Sequence, residues 1–144
     1  MKIRLKEWKV KETLFKLIEE VKSDNIPKKK ENSFNLAFGN FIPDDNKNEF
    51  GIGFQVEVKD EEFTLNVEMV FLFDTDSKLP DNFKDSPFAN INAPAIAFPY
   101  LRAFISNFTL QAGFPPVMLP SVNFVEFKNK DKEEDSFDQC NKKE

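Results

Sequence analysis

The chain has 144 residues, a net charge of −5 at neutral pH, no histidine and one cysteine, Cys140. This length suits one domain with a substantial core. Without histidine the sequence lacks the usual general base, the commonest zinc ligand and any Cys/His nucleophile pair. We therefore expect neither an enzyme nor a bound metal or cofactor.

The charge is unevenly distributed. Residues 1–30 carry ten Lys and Arg against five Asp and Glu, whereas residues 31–144 carry ten against twenty. An acidic body disfavours nucleic-acid binding, and we interpret Lys28 to Lys30 as a solvated loop. No apolar run approaches the roughly 18 to 20 residues that span a bilayer, and the first residues lack a secretory signal. We expect a cytoplasmic protein with no membrane insertion.

The N-terminal segment fits two structures equally well. Leu14, Leu17, Ile18 and Val21 have helical spacing, but the same stretch also interleaves apolar and polar residues as a twisted strand does. Periodicity alone leaves its structure open.

Three strands are predicted next by alternation of apolar and polar residues. The first covers Phe34 to Gly39 and ends before Pro43 and a polar loop at 44–48. The second begins at Phe50, and the third runs from Phe63 to Phe73, with a turn at Lys59 to Glu62 between them. These last two strands form a predicted hairpin.

A helix is predicted from Pro99 to Ala112, because proline is favoured in a first helical turn and Gly113 is a typical stop. The residues expected on its apolar face are Leu101, Phe104, Ile105, Phe108 and Ala112. One helix does not cover all the apolar residues of the strands, so a subunit interface or a binding groove is one explanation for the surplus, and ordinary core packing is the other.

The sequence divides into a single domain at 1–127 and a charged tail at 128–144. The tail is almost entirely polar and is expected to be flexible, with Cys140 as an incidental exposed thiol.

Two local patterns resemble the SecB family of protein-export chaperones. One is the ordered run Phe98-Pro99-Tyr100, Arg102, Gly113, Phe114-Pro115 and Val122-Asn123-Phe124, and the other is Val10-Lys11-Glu12 followed by Phe15. The resemblance implies an α+β fold, a four-stranded antiparallel sheet with helices packed on one face. It also favours a first strand at about 8–18, followed by a crossover loop from Glu19 to Asn32.

The resemblance further implies an ATP-independent holdase that binds unfolded preproteins and passes them to the SecA motor ATPase. The family assembles as a homotetramer, a dimer of dimers. By this match Arg102, Ser106 and Thr109 are candidates for the oligomer interface.

Two further candidate sites follow from the same resemblance. SecA docking in the family uses acidic residues on the solvent face of the sheet, which gives Glu12, Asn66 and Glu68 here, although Lys16 stands where the family has a second acid. We assign the client groove to five phenylalanines: Phe34, Phe38, Phe114, Phe124 and Phe127.

The polar residues after Phe127 replace an amphipathic helix that the family usually has beside its client groove. Divergent SecB-like chains also serve as chaperones dedicated to one antitoxin of a toxin–antitoxin system. A general export chaperone predicts many unfolded clients and SecA binding, whereas a dedicated one predicts a single client. A non-chaperone oligomeric scaffold is the third hypothesis, and it would not suppress aggregation.

Overall fold

A computed structural model describes residues 1–19, 32–43 and 48–127. Four antiparallel strands form one sheet: β1 (Ile3–Leu17), β2 (Ser33–Phe41), β3 (Glu49–Lys59) and β4 (Phe63–Thr75). Their order across the sheet is β1-β4-β3-β2, so β1 and β2 are the two edges. One long helix, α1 (Ala93–Gln111), lies against one face. This arrangement confirms the predicted fold class.

The central strands β3 and β4 alternate as the sequence predicts. Their inner faces are buried under α1, while Gln55, Glu68 and their neighbours point to the opposite, solvent-facing side, here called the outer face. Because inward apolar residues alternate with mainly polar outward ones, a shift of one residue would turn the buried set towards solvent; Val70 and Leu72 are the apolar exceptions on the outer face of β4. The buried residues of these two strands are Phe50, Ile52, Phe54, Val56, Val58, Phe63, Leu65, Val67, Met69, Phe71 and Phe73.

The first strand is longer than predicted. We expected it at about 8–18, but β1 begins at Ile3. The strand pairs with β4 along its whole length, with register shifts between Leu5 and Glu7 and between Val10 and Glu12. Each shift inserts one residue and changes the parity of the apolar positions. A strict alternation therefore fails along β1, which explains why its pattern resembled a helix as well as a strand.

The helix starts at Ala93, six residues before the predicted start at Pro99. A 3₁₀ turn at Phe83–Asp85 and a π-helical turn at Phe88–Asn92 lead directly into α1 at Ala93. The proline in the first turn is Pro94, and Pro99 lies inside the helix. Pro99 has no N–H to donate to the carbonyl of Ala95, but both residues are exposed, so water can satisfy that carbonyl.

The buried face of α1 is also shifted from the prediction. Leu101 and Ile105 are fully buried as expected, but Phe104 and Phe108 are half-buried and Ala112 is exposed. The core positions that the sequence analysis missed are Ala93, Pro94, Ala97, Phe98 and Thr109. Gly113 ends the helix with a φ of 101°, a conformation that favours glycine, as predicted.

The chain then returns over the inner face as an extended segment with the buried residues Val117 and Leu119, and it closes with a helical turn at 124–127. Several predicted features lie outside the described residues: most of the crossover loop, Lys28 to Lys30, most of the 44–48 loop and the tail with Cys140. Among the residues described, no helix is both long and apolar enough to cross a membrane.

Candidate protein-binding surfaces

The three candidate SecA-docking residues lie together on the outer face. Glu12 on β1 is opposite Glu68 on β4, and Asn66 is the next outward residue along β4. Glu12, Asn66 and Glu68 line one depression of about 420 Å³ with Asn35 and Gln55. The structure thus brings the predicted residues, which lie on β1 and β4, into a single depression that spans all four strands.

Most of the charged residues on this surface are acidic, and two of the carboxylates, those of Glu57 and Glu68, have a partner on the surface. Gln55 Nε2 donates to Glu68 Oε1 at 2.7 Å, and Lys59 Nζ lies 3.3 Å from a carboxylate oxygen of Glu57, which lines the same depression. Lys16 is opposite Thr64, beyond the depression. Three carboxylates that line one depression, those of Glu12, Glu57 and Glu68, favour a partner that carries positive charge.

Three of the five candidate client-groove residues form one aromatic cluster. The ring centroid of Phe38 on β2 lies 5.5 Å from that of Phe124 and 5.2 Å from that of Phe127. Phe124 is buried, whereas Phe38 and Phe127 are half-buried. The cluster therefore presents aromatic surface at the β2 edge of the inner face.

The other two candidates lie elsewhere. Phe114 packs on Phe63 at 4.8 Å and on Phe15 at 5.9 Å, at the β1 side of the molecule. Phe34 is half-buried opposite Val58, at the far end of β2 from Phe41. The five phenylalanines are therefore not one contiguous patch, and the expectation of a single groove lined by all of them is wrong in that respect.

Within the described residues no strand pairs with the outer edge of β2, a feature that the sequence analysis did not notice. Its nine residues, SFNLAFGNF, include no charged residue and no proline. Edge strands usually carry charges, prolines or bulges that prevent pairing with other chains. The opposite edge, β1, has many lysines and glutamates and two register shifts. The signal was present in the sequence, but only the sheet order shows that β2 is an edge.

The three candidate interface residues on α1 have different environments. Arg102 and Ser106 are half-buried and border the exposed Met118, whose sulfur accepts a hydrogen bond from Ser106 Oγ at 3.4 Å. Thr109 is fully buried: its Oγ1 donates to the Ile105 carbonyl and accepts from Val117 N–H at 2.9 Å. The prediction that Thr109 contacts another subunit is wrong, because its hydroxyl anchors the return segment within its own chain.

Apolar surface beside α1 is exposed instead. The nineteen residues of α1 include only one charged residue, Arg102. Large apolar side chains remain exposed along the helix and along β1, namely Trp8, Val10, Leu17, Ile96, Tyr100 and Leu110. A solvent-facing helix normally has a charged outer face, so this surface has the composition of an interface. The described part of the chain contains no cluster of acidic or cysteine side chains that could hold a metal ion.

Comparison with known proteins identifies the family. The sequence profile of SecB, described as preprotein translocase subunit SecB, matches residues 2–135. This chain belongs to the SecB family.

Individual relatives match over shorter segments. Protein-export protein SecB of Burkholderia vietnamiensis is 39% identical over 69 residues, 47% of this chain and 42% of the relative. An uncharacterised protein of Methanocaldococcus jannaschii is 44% identical over 59 residues, 41% of this chain and 37% of the relative. The matched segment thus spans about two-fifths of the length of these relatives.

Solved structures share the fold. The SecB-like chaperone Rv1957 of Mycobacterium tuberculosis, solved in complex with a ChAD peptide from the HigA1 antitoxin, superposes with a TM-score of 0.65 at 13% identity, covering 84% of this chain and 88% of that chain. A Streptococcus agalactiae protein of unknown function gives a TM-score of 0.53 at 13% identity, over 84% and 98% of the two chains. At 13% identity, these two matches show a shared fold alone.

Proposed function

We propose that this protein is an ATP-independent holdase that binds unfolded precursor proteins in the cytoplasm and delivers them to SecA for export. The observation that carries the proposal is the uncharged edge strand β2 beside the Phe38–Phe124–Phe127 cluster. An unpaired edge offers backbone hydrogen bonds to any extended chain, and the cluster offers contact to aromatic or aliphatic side chains without a sequence requirement. No catalytic step is part of this function.

Assembly is the second part of the proposal. A homotetramer, a dimer of dimers, would cover the exposed apolar residues of β1 and α1, such as Trp8 and Tyr100, and would present several β2 edges at once. Clients held by many weak contacts on several subunits gain affinity through avidity. Arg102 and Ser106 stay candidates for the contact between dimers.

Delivery to SecA is assigned to the outer face. Glu12, Asn66 and Glu68 lie on the side of the sheet opposite the aromatic cluster, so a client and a motor protein would occupy opposite faces. This separation allows both to be bound while the client is transferred. Because Lys16 replaces a carboxylate of the family, we expect SecA to bind through fewer charge contacts than it makes with other SecB proteins.

The experiment measures aggregation of three unrelated proteins, each diluted from urea, by light scattering without nucleotide. The wild-type chain should suppress aggregation of all three near one tetramer per client. Phe127→Ala should weaken suppression, because it removes half-buried aromatic surface from the cluster. Val125→Ala is the matched control, since Val125 lies two residues before Phe127 and is exposed, but has no ring to contribute to the aromatic cluster.

A dedicated antitoxin chaperone is the alternative function. The observation that favours it is the fold neighbour from Mycobacterium tuberculosis, which was solved with an antitoxin peptide. This alternative predicts no suppression for the three unrelated proteins and tight binding of one client. An oligomer that binds neither unfolded proteins nor an antitoxin would instead be a scaffold.

A further inference from the structure

Two glycines face each other on the outer face, between the edge strand β2 and its neighbour β3. Gly39 on β2 is opposite Gly53 on β3, which in turn is opposite Val70 on β4. Among the described glycines only Gly113 has a positive φ, so backbone conformation does not require glycine at 39 or 53. A Cβ added at either position would have no atom within 4 Å. Neither of the usual structural reasons for glycine applies to this pair.

Gly51, by contrast, is required by packing within the chain. It lies opposite Phe41, whose ring occupies the space where a Gly51 side chain would be. Gly51 is therefore explained by a neighbour in its own chain. The equivalent space above Gly39 and Gly53 is open. Glycine inside a strand weakens the strand, and no neighbour in the described chain requires it at these two positions.

The open space is a trough that crosses the strands. It has a volume of about 430 Å³ and is bordered by Phe41 on one side and by Ala37, Gln55 and Glu68 on the other. Outward residues on one strand are separated by about 6.8 Å, twice the strand rise, so an absent pair of side chains leaves room for a planar ring on the glycine backbone. Such a trough fits an aromatic side chain better than a bulky aliphatic one.

The acidic depression begins where the trough ends. Ala37, Gln55 and Glu68 line both spaces, and beyond them lie Glu12 and Glu57, the latter paired with Lys59. On the β1 side the trough ends at Lys11. A segment that runs along the strands from the trough towards Glu68 therefore passes from an uncharged floor to carboxylates.

We propose that the glycine trough receives an aromatic side chain from an extended partner segment that carries lysines or arginines next to the aromatic residue. This rests on the part of the proposed function that gives the outer face to SecA, and it specifies what the docking segment carries. The chain's own Phe137 does not meet this requirement, because Glu133, Glu134, Asp135 and Asp138 surround it in the sequence. Those residues would be repelled by Glu12 and Glu68.

Two substitutions add side-chain atoms to the trough. In Gly53→Val and Gly39→Ala the new Cβ has no atom within 4 Å and lies in a strand, so both variants should unfold at the same or a higher urea concentration than the wild type. A loss of binding in these variants would therefore not be a consequence of misfolding.

The probe is a blocked peptide with one phenylalanine followed by two lysines, titrated into the ¹⁵N-labelled full-length protein. Its binding should shift the amide signals of Gly39 and Gly53, while the signal of Gly113, at the end of α1, serves as the unaffected reference. Gly53→Val should weaken binding about tenfold or more, the loss expected when an aromatic anchor can no longer enter its site. Equal binding to Gly53→Val and the wild type would overturn the proposal.

Two control peptides test the chemistry. Alanine in place of phenylalanine should lose most of the affinity, and glutamates in place of lysines should abolish binding. Tighter binding of the glutamate peptide would overturn the proposal and make the acidic segment at 133–138 the better occupant.

A parallel binding assay with SecA separates this inference from the proposed function. SecA binding that is weakened by Gly53→Val supports both. SecA binding that is unchanged by Gly53→Val overturns the trough but leaves SecA docking intact. Peptide binding that depends on Gly53, without any SecA binding, supports the trough and rejects SecA as its occupant.

Discussion

The ring of Trp8 in β1 lies 4.5 Å, centroid to centroid, from the ring of Tyr100 in α1. Trp8 also stacks on the buried Phe71 at 6.5 Å, so the pair is fixed to the core on one side. The other side is open, and 45% of Trp8 and 41% of Tyr100 remain exposed. An aromatic pair held rigidly at a sheet edge with this much open surface is suited to contact with another subunit.

We expect Trp8→Glu to disrupt assembly without unfolding the subunit. A carboxylate at this position stays solvated in a monomer but would be buried without a partner in an oligomer, which is unfavourable. Sedimentation velocity should show a smaller mass than for the wild type, while far-ultraviolet circular dichroism should be unchanged. Because Trp8 is the only tryptophan, its emission should also shift to the red when the wild-type protein dissociates on dilution.

The control for this prediction is Val125→Glu, which adds the same charge at another exposed apolar residue away from β1 and α1. It should leave the mass unchanged. If Trp8→Glu keeps the wild-type mass, the surface around Trp8 and Tyr100 is not the interface.

Thr109 gives a prediction about stability. Thr109→Val keeps the size and shape of the side chain but removes the acceptor of the buried Val117 N–H, which should cost about 1–3 kcal/mol of unfolding free energy. Thr109→Ser keeps the hydroxyl and should retain most of that hydrogen bond's contribution. Urea unfolding measures both variants. A valine variant as stable as the wild type would show that the Val117 N–H finds another partner.

The central strands could be predicted from the sequence because their burial has the simplest periodicity. Phe50 to Val58 and Phe63 to Met69 alternate inward apolar residues with polar or glycine positions, and the structure places both strands within one or two residues of the expected bounds. β1 was harder to delimit, because each of its register shifts changes the parity of the inward positions. A bulge is fixed by pairing with another strand, which a single-sequence pattern does not contain.

The helix shows a different limit. Pro99 was taken as the first turn because proline is common there, but Pro94 has that role, and the helix tolerates Pro99 on its exposed side. Thr109 was assigned to the oligomer interface because its position matches the SecB pattern. In the structure its hydroxyl accepts the Val117 N–H, which reaches it only after the chain reverses at Gly113. A match of sequence positions does not contain such a tertiary hydrogen bond.

Single substitutions to lysine should impair the client surface at β2 and the SecA surface on the outer face independently. Ser33→Lys adds a charge to the neutral edge β2 at an exposed residue outside the acidic depression, and it should weaken client binding roughly two- to fivefold, since charged residues disfavour pairing of an edge strand. Asn66→Lys places the same charge on the same face but on the central strand β4, so it should weaken SecA binding and leave client binding unchanged. Light scattering and a SecA binding assay on both variants test this. If both variants affect both partners equally, the assignment of clients and SecA to separate surfaces is wrong.

The N-terminal half of β1 should make stability depend on pH. Arg4 Nη2 and Nε donate to the two carboxylate oxygens of Asp74 at 2.9 and 3.2 Å. This side-chain hydrogen bonding lowers the pKa of Asp74 below its ordinary value. Since the pKa is lower in the folded state than in the unfolded state, the contribution is present above the unfolded value and is lost as pH falls through the folded value.

We therefore expect Asp74→Asn to destabilise the protein slightly at pH 7, because an exposed ion pair contributes little, and the difference from the wild type should shrink below about pH 4, near the pKa of an unfolded aspartate. Thermal unfolding between pH 3 and 7 measures this difference, and added salt should reduce it at neutral pH. Asp81→Asn, which removes an exposed carboxylate outside the Arg4 pair, is the control. A difference between Asp74→Asn and the wild type that stays constant down to pH 3 would show that Asp74 acts through its shape or hydrogen bonds alone, with no contribution from its charge.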